Sequence, residues 1–275
     1  TPDSVPVVKT SIANASISAI PAAYYTGEKQ TPQPTVTYAG KTLQLGTHYT
    51  LSYANNKKVG TATITVTGMG AYTGKATATF QIIARPVWVL GANKMPVDST
   101  ATWALKNCTL RVVKGQKVAR ISDDGKTVIA TKKGTATVAV VDNAGRTVKK
   151  RTVKVYAFSG KYCLQTAANS SLYLDVKAYS KANNATIHLW TKNNRANQQV
   201  AFKHTKYGYQ LKFAHSKKLI TAKGSKVVQA KARNAKTQSW RITVDRKNRL
   251  AFTNAKTGKS LGFAKAKKRS PAIQS

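Results

Sequence analysis

The chain has very few acidic residues. Of its 275 residues, 8 are Asp or Glu, against 46 Lys or Arg, and Glu28 is the single glutamate. The 4 histidines are widely scattered along the chain. Metal sites and general acid/base pairs are built from clusters of these residue types. We therefore expect this chain not to be an enzyme and to hold no metal and no cofactor.

Long apolar runs and helical periodicity are missing as well. No run approaches the length of a membrane span or of a signal-peptide core. No stretch of a dozen residues repeats apolar positions at helical spacing, whereas Val, Ile, Thr and Tyr are abundant. The composition therefore predicts an all-β protein. Because the chain begins at Thr1 rather than at methionine, we expect a mature fragment of something longer.

Cysteine is scarce, with one residue at Cys108 and one at Cys163. The two lie in segments that we assign to different domains, and their spacing fits neither a CxxC pair nor a metal set. Two buried thiols are the simpler interpretation. A single disulfide between domains is the alternative, and the strict geometry of such bridges makes it the rarer one. The sequence leaves open whether they are bonded.

Positive charge is abundant and concentrated towards the C-terminus. The net charge is +4 over residues 1–84, +11 over 85–157 and +23 over 158–275. Such a field attracts polyanions, including teichoic acid and acidic glycans. The basic stretches contain few aromatic residues on which single strands could stack, so we expect no specific nucleic-acid partner. The lysine runs, among them "AKAKKRS", are interpreted either as solvated surface or as an adhesive patch.

The length predicts two or three domains. After a Pro-rich start, "TPDSVPVV", which we expect to be extended, short strand-like runs alternate with turn dipeptides. Residues 11–84 pair "YTG" at 25–27 with "GTHYTLSYANNKKVGTATITVTG" and a second "YTG" at 72–74. This segment resembles the small immunoglobulin-like repeats of Gram-positive surface proteins. The resemblance implies a spacer or adhesin building block without an active site.

Residues 87–156 carry a different pattern. It consists of "VARIS" at 118–122, then Gly125, Val128 and Ala130, and "GTATV" at 134–138. This resembles the second group of bacterial immunoglobulin-like domains, which are again structural or adhesive. "DDGK" and "DNAGR" are typical of tight hairpin turns, and we interpret Asp123 and Asp124 as turn residues rather than calcium ligands.

The last segment repeats loosely at about 40 residues, as the pair Gln198 and Gln238 illustrates. Three β units of this length predict a trefoil. The pattern that begins at Tyr162 and continues through "LDV" at 174–176, "IHLW" at 187–190 and "NQ" at 197–198 resembles a ricin-type lectin repeat. The resemblance implies a β-trefoil over 158–275 and a sugar site in any repeat with an intact motif.

Five residues of the first repeat are candidates for carbohydrate binding. Asp175 would accept hydrogen bonds from two adjacent sugar hydroxyls, and Trp190 would stack on the apolar face of the ring. Asn197 could donate to one hydroxyl and accept from another, Gln198 would brace the loop, and His188 could contact the sugar. As an alternative, Asp175 accepts backbone N–H bonds at a hairpin and Trp190 is a core residue.

The other two repeats lack the motif. Ile220 is expected at the position of the aspartate and Ala230 at that of the tryptophan in the second repeat, and Gly262 replaces the aspartate in the third. We therefore expect one sugar site at most. In the first repeat Val200 stands where the core tryptophan is expected, so the packing beneath the site should differ from that of the family.

The combined expectation is an all-β chain with two tandem immunoglobulin-like β-sandwiches, at 1–84 and 85–157, followed by a β-trefoil at 158–275. We expect a non-catalytic carbohydrate-binding and adhesion segment of a Gram-positive surface or secreted protein, extracellular, at the cell surface or cell wall. Its partner would be a host glycan or a bacterial cell-wall polysaccharide. The alternatives are a wall-adhering stalk with a degenerate trefoil and an accessory region of a cell-wall hydrolase.

Overall fold

The computed structural model describes residues 8–233 and 235–275, so most of the Pro-rich start lies outside the described residues. Strands β1 to β9 are Thr10–Ser11, Ser16–Ile17, Ala23–Tyr24, Val36–Tyr38, Lys41–Thr42, Tyr49–Ala54, Gly60–Gly68, Tyr72–Thr73 and Lys75–Ile83. Strands β10 to β18 are Val87–Val89, Lys94–Pro96, Ser99–Thr102, Ala104–Lys106, Cys108–Lys114, Ala119–Ile121, Thr127–Ala130, Gly134–Asp142 and Thr147–Tyr156.

The C-terminal part continues in the same way. Strands β19 to β30 are Tyr162–Cys163, Gln165–Thr166, Asn169–Val176, Ile187–Thr191, Gln199–Thr205, Gly208–Phe213, Leu219–Lys223, Lys226–Ala230, Trp240–Val244, Leu250–Asn254, Leu261–Phe263 and Ala272–Gln274. Two 3-10 segments, Lys177–Tyr179 and Lys236–Gln238, are the helical elements of the described residues. The prediction of an all-β chain is confirmed.

The chain divides into two compact units. The first contains the residues up to Val87 with Lys106–Cys108 and Val141–Arg146, and the second contains the remainder. In the described residues no helix is long and apolar enough for a membrane crossing. No group of three or more His, Cys, Asp or Glu there could hold a metal ion. The division into three domains, with boundaries after residues 84 and 157, stays a prediction.

The core of the first unit follows from strand alternation. Ala62, Ile64 and Val66 point to one side of β7 and are buried, while the residues between them are half-buried. The sheet order is β3-β9-β7-β6, and a separate sheet has the order β2-β4-β5. Phe80 and Ile82 pack with Ala62 and Ile64 in one apolar cluster, so alternate residues of two adjacent strands supply this core.

A carboxylate in the first unit holds the "DNAGR" turn. The backbone N–H of Asp142 donates to the carbonyl of Arg146 at 3.0 Å, which confirms the predicted tight turn. The Asp142 carboxylate accepts hydrogen bonds from the Tyr24 hydroxyl at 2.7 Å and from Arg146 Nε at 2.9 Å. Burial alone would raise the pKa of Asp142, but these bonds, with backbone donors at Arg146 and Ala144, bring the pKa below its ordinary value.

The "DDGK" turn is confirmed in the same manner. The N–H of Gly125 donates to the carbonyl of Ser122 at 2.9 Å, and Gly125 has a φ of 68°. Asp124 accepts from the Ser122 hydroxyl and, at 2.9 Å, from the backbone N–H of Lys126. These two donors lower the pKa of Asp124. The carboxylate is therefore occupied by the turn itself.

The two cysteines are free thiols. Cys108 is buried, as predicted, and its burial raises the pKa of the thiol. Cys163 is half-buried, so the prediction of two buried thiols is wrong for this residue.

In the second unit, residues 93–100 are joined to the C-terminal segment. Strand β12 pairs in parallel with β27, with Ser99 opposite Ile242. The Tyr209 hydroxyl donates to the carbonyl of Val97 at 2.7 Å. Its burial and the nearby Asp98 raise the pKa of Tyr209 to about 12.

Residues 158–275 form three hairpins that close into a ring. Hairpin 1 is β21–β22, hairpin 2 is β25–β26 and hairpin 3 is β29–β30. Each donates one backbone N–H to a neighbouring repeat, at corresponding positions. These bonds are Leu189 to Ser270 at 3.0 Å, Gln229 to Ala185 at 3.2 Å and Gln274 to Ser225 at 2.9 Å. This closed threefold arrangement is a β-trefoil.

The register of the hairpins fixes which residues correspond. Asp175 pairs with His188 in hairpin 1, Thr221 pairs with Val228 in hairpin 2, and Gly262 pairs with Ile273 in hairpin 3. The expectation that Ile220 takes the aspartate's position is therefore wrong by one residue, because Ile220 points into the core. Gly262 is confirmed at that position, so hairpins 2 and 3 have no carboxylate there.

Val200 and Trp240 differ in the way that the sequence predicts. Trp240 is fully buried and donates its indole N–H to the carbonyl of Ile220 at 3.0 Å. Val200, at the corresponding position of the first repeat, is also fully buried and pairs with Phe213. The first repeat thus fills this core position with a smaller side chain that has no hydrogen-bond donor.

Candidate functional site

Hairpin 1 separates an apolar face from a polar face. Leu174 and Val176 on β21 are buried opposite Leu189 and Ile187 on β22. Because side chains alternate along a strand, Asp175 lies on the other face. Its cross-strand partner His188 lies on that face too, and so does Trp190, two residues further on. The apolar run around Asp175 is therefore the core side of a strand whose other side carries the site.

Three side-chain donors surround Asp175, which is 3% exposed. Oδ1 lies 3.1 Å from His188 Nε2. Oδ2 accepts from Asn193 Nδ2 at 3.1 Å and from Asn197 Nδ2 at 2.9 Å. A carboxylate offers about four lone-pair sites, so one is left open. Since these partners are side chains, the alternative in which backbone N–H groups of a hairpin occupy Asp175 is wrong.

The loop after β22 carries the two asparagines. Gln198 is fully buried, accepts from the N–H of Asn193 at 3.0 Å and donates to the carbonyl of Thr191 at 2.9 Å. Asn197 Nδ2 also donates to the carbonyl of Val176 at 3.1 Å, which ties the loop back to β21. Gln198 therefore braces the loop, as expected, and does not line the cavity on the polar face of hairpin 1.

Trp190 is half-buried and contacts several side chains. The His188 ring lies nearly parallel to the indole, with centroids 5.4 Å apart. Lys268 Nζ lies 4.1 Å from the indole centroid and Arg269 Cζ lies 5.6 Å from it. The alternative in which Trp190 is a core residue is therefore wrong.

A cavity of about 640 Å³ opens on this face. Its lining residues are Asp175, Lys177, Ala178, Tyr179, Thr186, His188, Trp190, Asn193, Arg195, Asn197, Arg269 and Pro271. Four of the five predicted residues are brought together here. The sequence motifs did not predict Asn193, Tyr179 or the lining cations Lys177, Arg195 and Arg269. The asparagine-rich sequence "NNRANQ" was a signal that could have identified Asn193.

The rim beside β21 has an unusual backbone. Ala178 and Tyr179 have φ values of 54° and 55°, in the left-handed region that costs non-glycine residues about 1 kcal/mol or more each. Tyr179 is 40% exposed and its ring centroid lies 4.9 Å from that of His215. The strained segment thus places a second aromatic side chain, Tyr179, among the residues that line the cavity with Trp190.

The geometry is that of a β-trefoil with a polar cavity in one repeat, and the family comparison agrees with it. The profile of the family described as ricin-type beta-trefoil lectin domain-like matches residues 149–225. This range contains all five predicted site residues. The chain therefore contains a ricin-type trefoil lectin-like region. No curated protein matches the chain.

Several solved structures are similar to parts of the chain. The designed threefold-symmetric protein ThreeFoil is 23% identical, with 42% of this chain and 89% of that one covered and a TM-score of 0.39. The Vibrio vulnificus hemolysin/cytolysin β-trefoil lectin with bound N-acetyl-D-lactosamine is 15% identical, with coverages of 42% and 95% and a TM-score of 0.32. The exo-β-1,3-galactanase 1,3Gal43A from Clostridium thermocellum is 12% identical, with coverages of 82% and 54% and a TM-score of 0.40.

Proposed function

We propose that this chain is a non-catalytic carbohydrate-binding segment that holds a sugar in the cavity of hairpin 1. The observation that carries the proposal is a half-buried indole, Trp190, beside a hydrogen-bonded polar set centred on Asp175. Ligand sites typically combine an apolar surface with a few fixed polar groups. A pyranose matches both, because it has an apolar C–H face and a rim of hydroxyls.

The polar set is organised before a ligand arrives. The Asp175 carboxylate holds His188, Asn193 and Asn197 through its own bonds. Its remaining lone pair, and Asn197 Oδ1, whose contact with Asn193 Nδ2 is long at 3.4 Å, are available to sugar hydroxyls. Fixed partners lose little entropy on binding. Asp175 thus acts both as an acceptor and as the residue that positions the other polar side chains.

The remaining chain would present this site at a bacterial surface. The sequence motifs of residues 11–84 and 87–156 support two immunoglobulin-like spacers in an extracellular adhesion protein of Gram-positive type, wall-associated or secreted. The charge of +23 over residues 158–275 would add attraction to polyanions such as teichoic acid. The glycan would come from a host or from a bacterial wall.

A structural stalk that adheres by charge is the second candidate. It is favoured by the register of hairpins 2 and 3, which place Thr221 and Gly262 where hairpin 1 has Asp175. In that case the trefoil is a basic scaffold without sugar binding. An accessory region of a wall hydrolase is a third candidate, tested by the sequence that flanks this chain in the full-length protein.

The variant Asp175→Ala tests the sugar site. It removes the common acceptor of three side chains, and we expect sugar affinity, measured on a glycan array and by calorimetry, to fall about tenfold or more. Asp123→Ala is the matched control, because Asp123 is exposed and the change in net charge is the same. The control should bind like the wild type.

Salt distinguishes the two leading candidates. If a folded Asp175→Ala variant binds like the wild type, and moderate salt abolishes the binding of both, exposed charge explains adhesion and the sugar site is wrong. Circular dichroism and the unfolding midpoint of each variant establish that it is folded.

A further inference from the structure

The cation-rich loop of residues 264–271, "AKAKKRSP", belongs to the third repeat but is fixed to hairpin 1. The backbone N–H of Arg269 donates to the carbonyl of Leu189 at 2.8 Å, and the N–H of Leu189 donates to the carbonyl of Ser270 at 3.0 Å. Ser270 is buried, and its hydroxyl accepts from the N–H of Lys265 at 3.2 Å. Backbone hydrogen bonds therefore hold the main chain of this loop against hairpin 1 at Arg269 and Ser270, directly after Lys268.

These two cations lie over the indole on which a sugar would stack. Lys268 Nζ is 4.1 Å and Arg269 Cζ is 5.6 Å from the centroid of Trp190. Such contacts are weak at exposed sites, so a ligand can displace the ammonium from the ring. A neutral sugar that does so leaves the ammonium without a partner, whereas a sugar with an acidic group supplies one.

The rest of the rim has the same sign of charge. Lys177 and Arg195 line the cavity with Arg269, and all three are exposed. In the described residues none of these three, nor Lys268, lies within 4.0 Å of a carboxylate. The one acid of the site, Asp175, is bonded to His188, Asn193 and Asn197 and pairs with none of these cations. The positive charge of the rim is therefore uncompensated.

We infer that the cavity selects a saccharide that carries an anionic substituent, a carboxylate or a sulfate, on or next to the bound ring. This inference rests on the proposed function. Neutral hydroxyls of the ring would bond to the Asp175, Asn193 and Asn197 set, and the acidic group would pair with Arg269 and Lys268. A guanidinium matches the two oxygens of such a group, and charge-assisted bonds are stronger than neutral ones.

This selectivity differs from the general attraction of the basic surface to polyanions. Total charge acts on long, multiply charged chains and weakens with salt. The proposed selectivity of the cavity acts on one charged sugar. It depends on the positions of Lys268 and Arg269 rather than on the total number of cations on the surface. A short saccharide with one acidic group therefore distinguishes selectivity of the cavity from attraction to the total surface charge.

Matched sugars test the inference on the intact chain by titration calorimetry at 0.15 M and 0.5 M salt. The probes are lactose, 3′-sialyllactose and 3′-sulfolactose for host-type groups, and galactose against galacturonic acid for the uronic acids of bacterial polymers. We expect at least one acidic probe to bind about tenfold or more tightly than its neutral parent at both salt concentrations. Which probe does so identifies the source of the acidic group.

The double variant Lys268→Ala/Arg269→Ala should bring this preference to about threefold or less, because it removes the two cations that would pair with the acidic group. Arg246→Ala/Lys247→Ala is the matched control, since it removes an adjacent, exposed pair of cations from the same repeat. Equal acidic and neutral affinities in the wild type would overturn the inference while keeping the sugar site. An equal loss of preference in both double variants would overturn it in favour of total charge. Absence of binding to every probe in the wild type would overturn both proposals.

Discussion

Asp175 and His188 face each other across neighbouring antiparallel strands, with Asp175 Oδ1 3.1 Å from His188 Nε2. The two side chains are 4% and 7% exposed, respectively. A second Asp–His pair, Asp98 and His204, has a shorter separation of 2.7 Å, but its side chains are 44% and 50% exposed. The two pairs share their chemistry and differ in burial.

Replacing His188 by alanine should therefore cost more stability than replacing His204. His188→Ala leaves a buried carboxylate oxygen without a hydrogen bond, which costs about 1–3 kcal/mol. It also removes the ring that lies against Trp190. His204→Ala removes an exposed pair and should cost about 1 kcal/mol or less. Denaturant unfolding measures both, and equal losses would contradict the importance of burial.

Gln198 and Gln238 make the same two bonds in consecutive repeats. Each accepts from the N–H five residues earlier and donates to the carbonyl seven residues earlier, at Asn193 and Thr191 or at Arg233 and Lys231. Both amides are buried. Replacement of either by alanine should lower the free energy of unfolding by about 1–3 kcal/mol.

Sugar binding should distinguish these two variants. Gln198→Ala releases the loop that carries Asn193 and Asn197, so we expect the affinity for a sugar to fall. Gln238→Ala weakens a loop that holds no site, and the affinity should stay within about twofold of the wild type. Calorimetry with the best glycan ligand measures this. Loss of affinity in both variants would mean that general destabilisation, rather than loop position, controls binding.

Asp142 should make the first unit sensitive to acid. Its folded-state pKa lies below the ordinary value because hydrogen bonds from Tyr24 and Arg146 outweigh its burial. The stabilisation is therefore complete above the unfolded pKa of about 3.9 and is lost as the pH falls below it. Acid titration followed by tyrosine fluorescence should show this loss, and Asp142→Asn should reduce it. An unchanged titration in the variant would assign acid sensitivity to other carboxylates.

Tyr209 should make the second unit sensitive to alkali. Its pKa is raised to about 12 by burial, with Asp98 as a smaller cause, whereas an unfolded tyrosine has a pKa of about 10. The protonated hydroxyl therefore stabilises the unit fully below pH 10, and this contribution is lost between about pH 10 and 12. Tyr209→Phe should unfold more easily at neutral pH but lose less stability across this interval. Absorbance at alkaline pH reports the titration directly.

Much of the site could be predicted because its residues lie close together in the sequence. The 15 residues from Asp175 to Trp190 span one hairpin, and the lectin-like motif contains four of the residues that line the cavity. The register of hairpin 2 was missed because strand periodicity is two residues, so a one-residue slip exchanges the core face with the solvent face. That slip placed Ile220 rather than Thr221 at the aspartate's position.

The contact between Trp190 and Lys268 could not be predicted from local pattern. The two residues are far apart in sequence and meet because the ring of three hairpins closes hairpin 3 against hairpin 1. "AKAKKRS" read alone has the composition of ordinary solvated surface. Its position follows from the trefoil fold, because the bonds that hold it join backbone atoms and do not depend on the residue types of the loop.

The bonds between Leu189 and the loop of residues 264–271 use backbone atoms alone, while the polar set of Asp175 uses side chains of the first repeat. Substitutions in the loop can therefore change the side chains at the rim of the cavity without disturbing the hydrogen bonds of the Asp175 set. Hairpin 3 has Gly262 where hairpin 1 has Asp175, so under the proposed function its loop would act as an exchangeable specificity loop, and related chains could acquire new ligands by changing two or three of its residues.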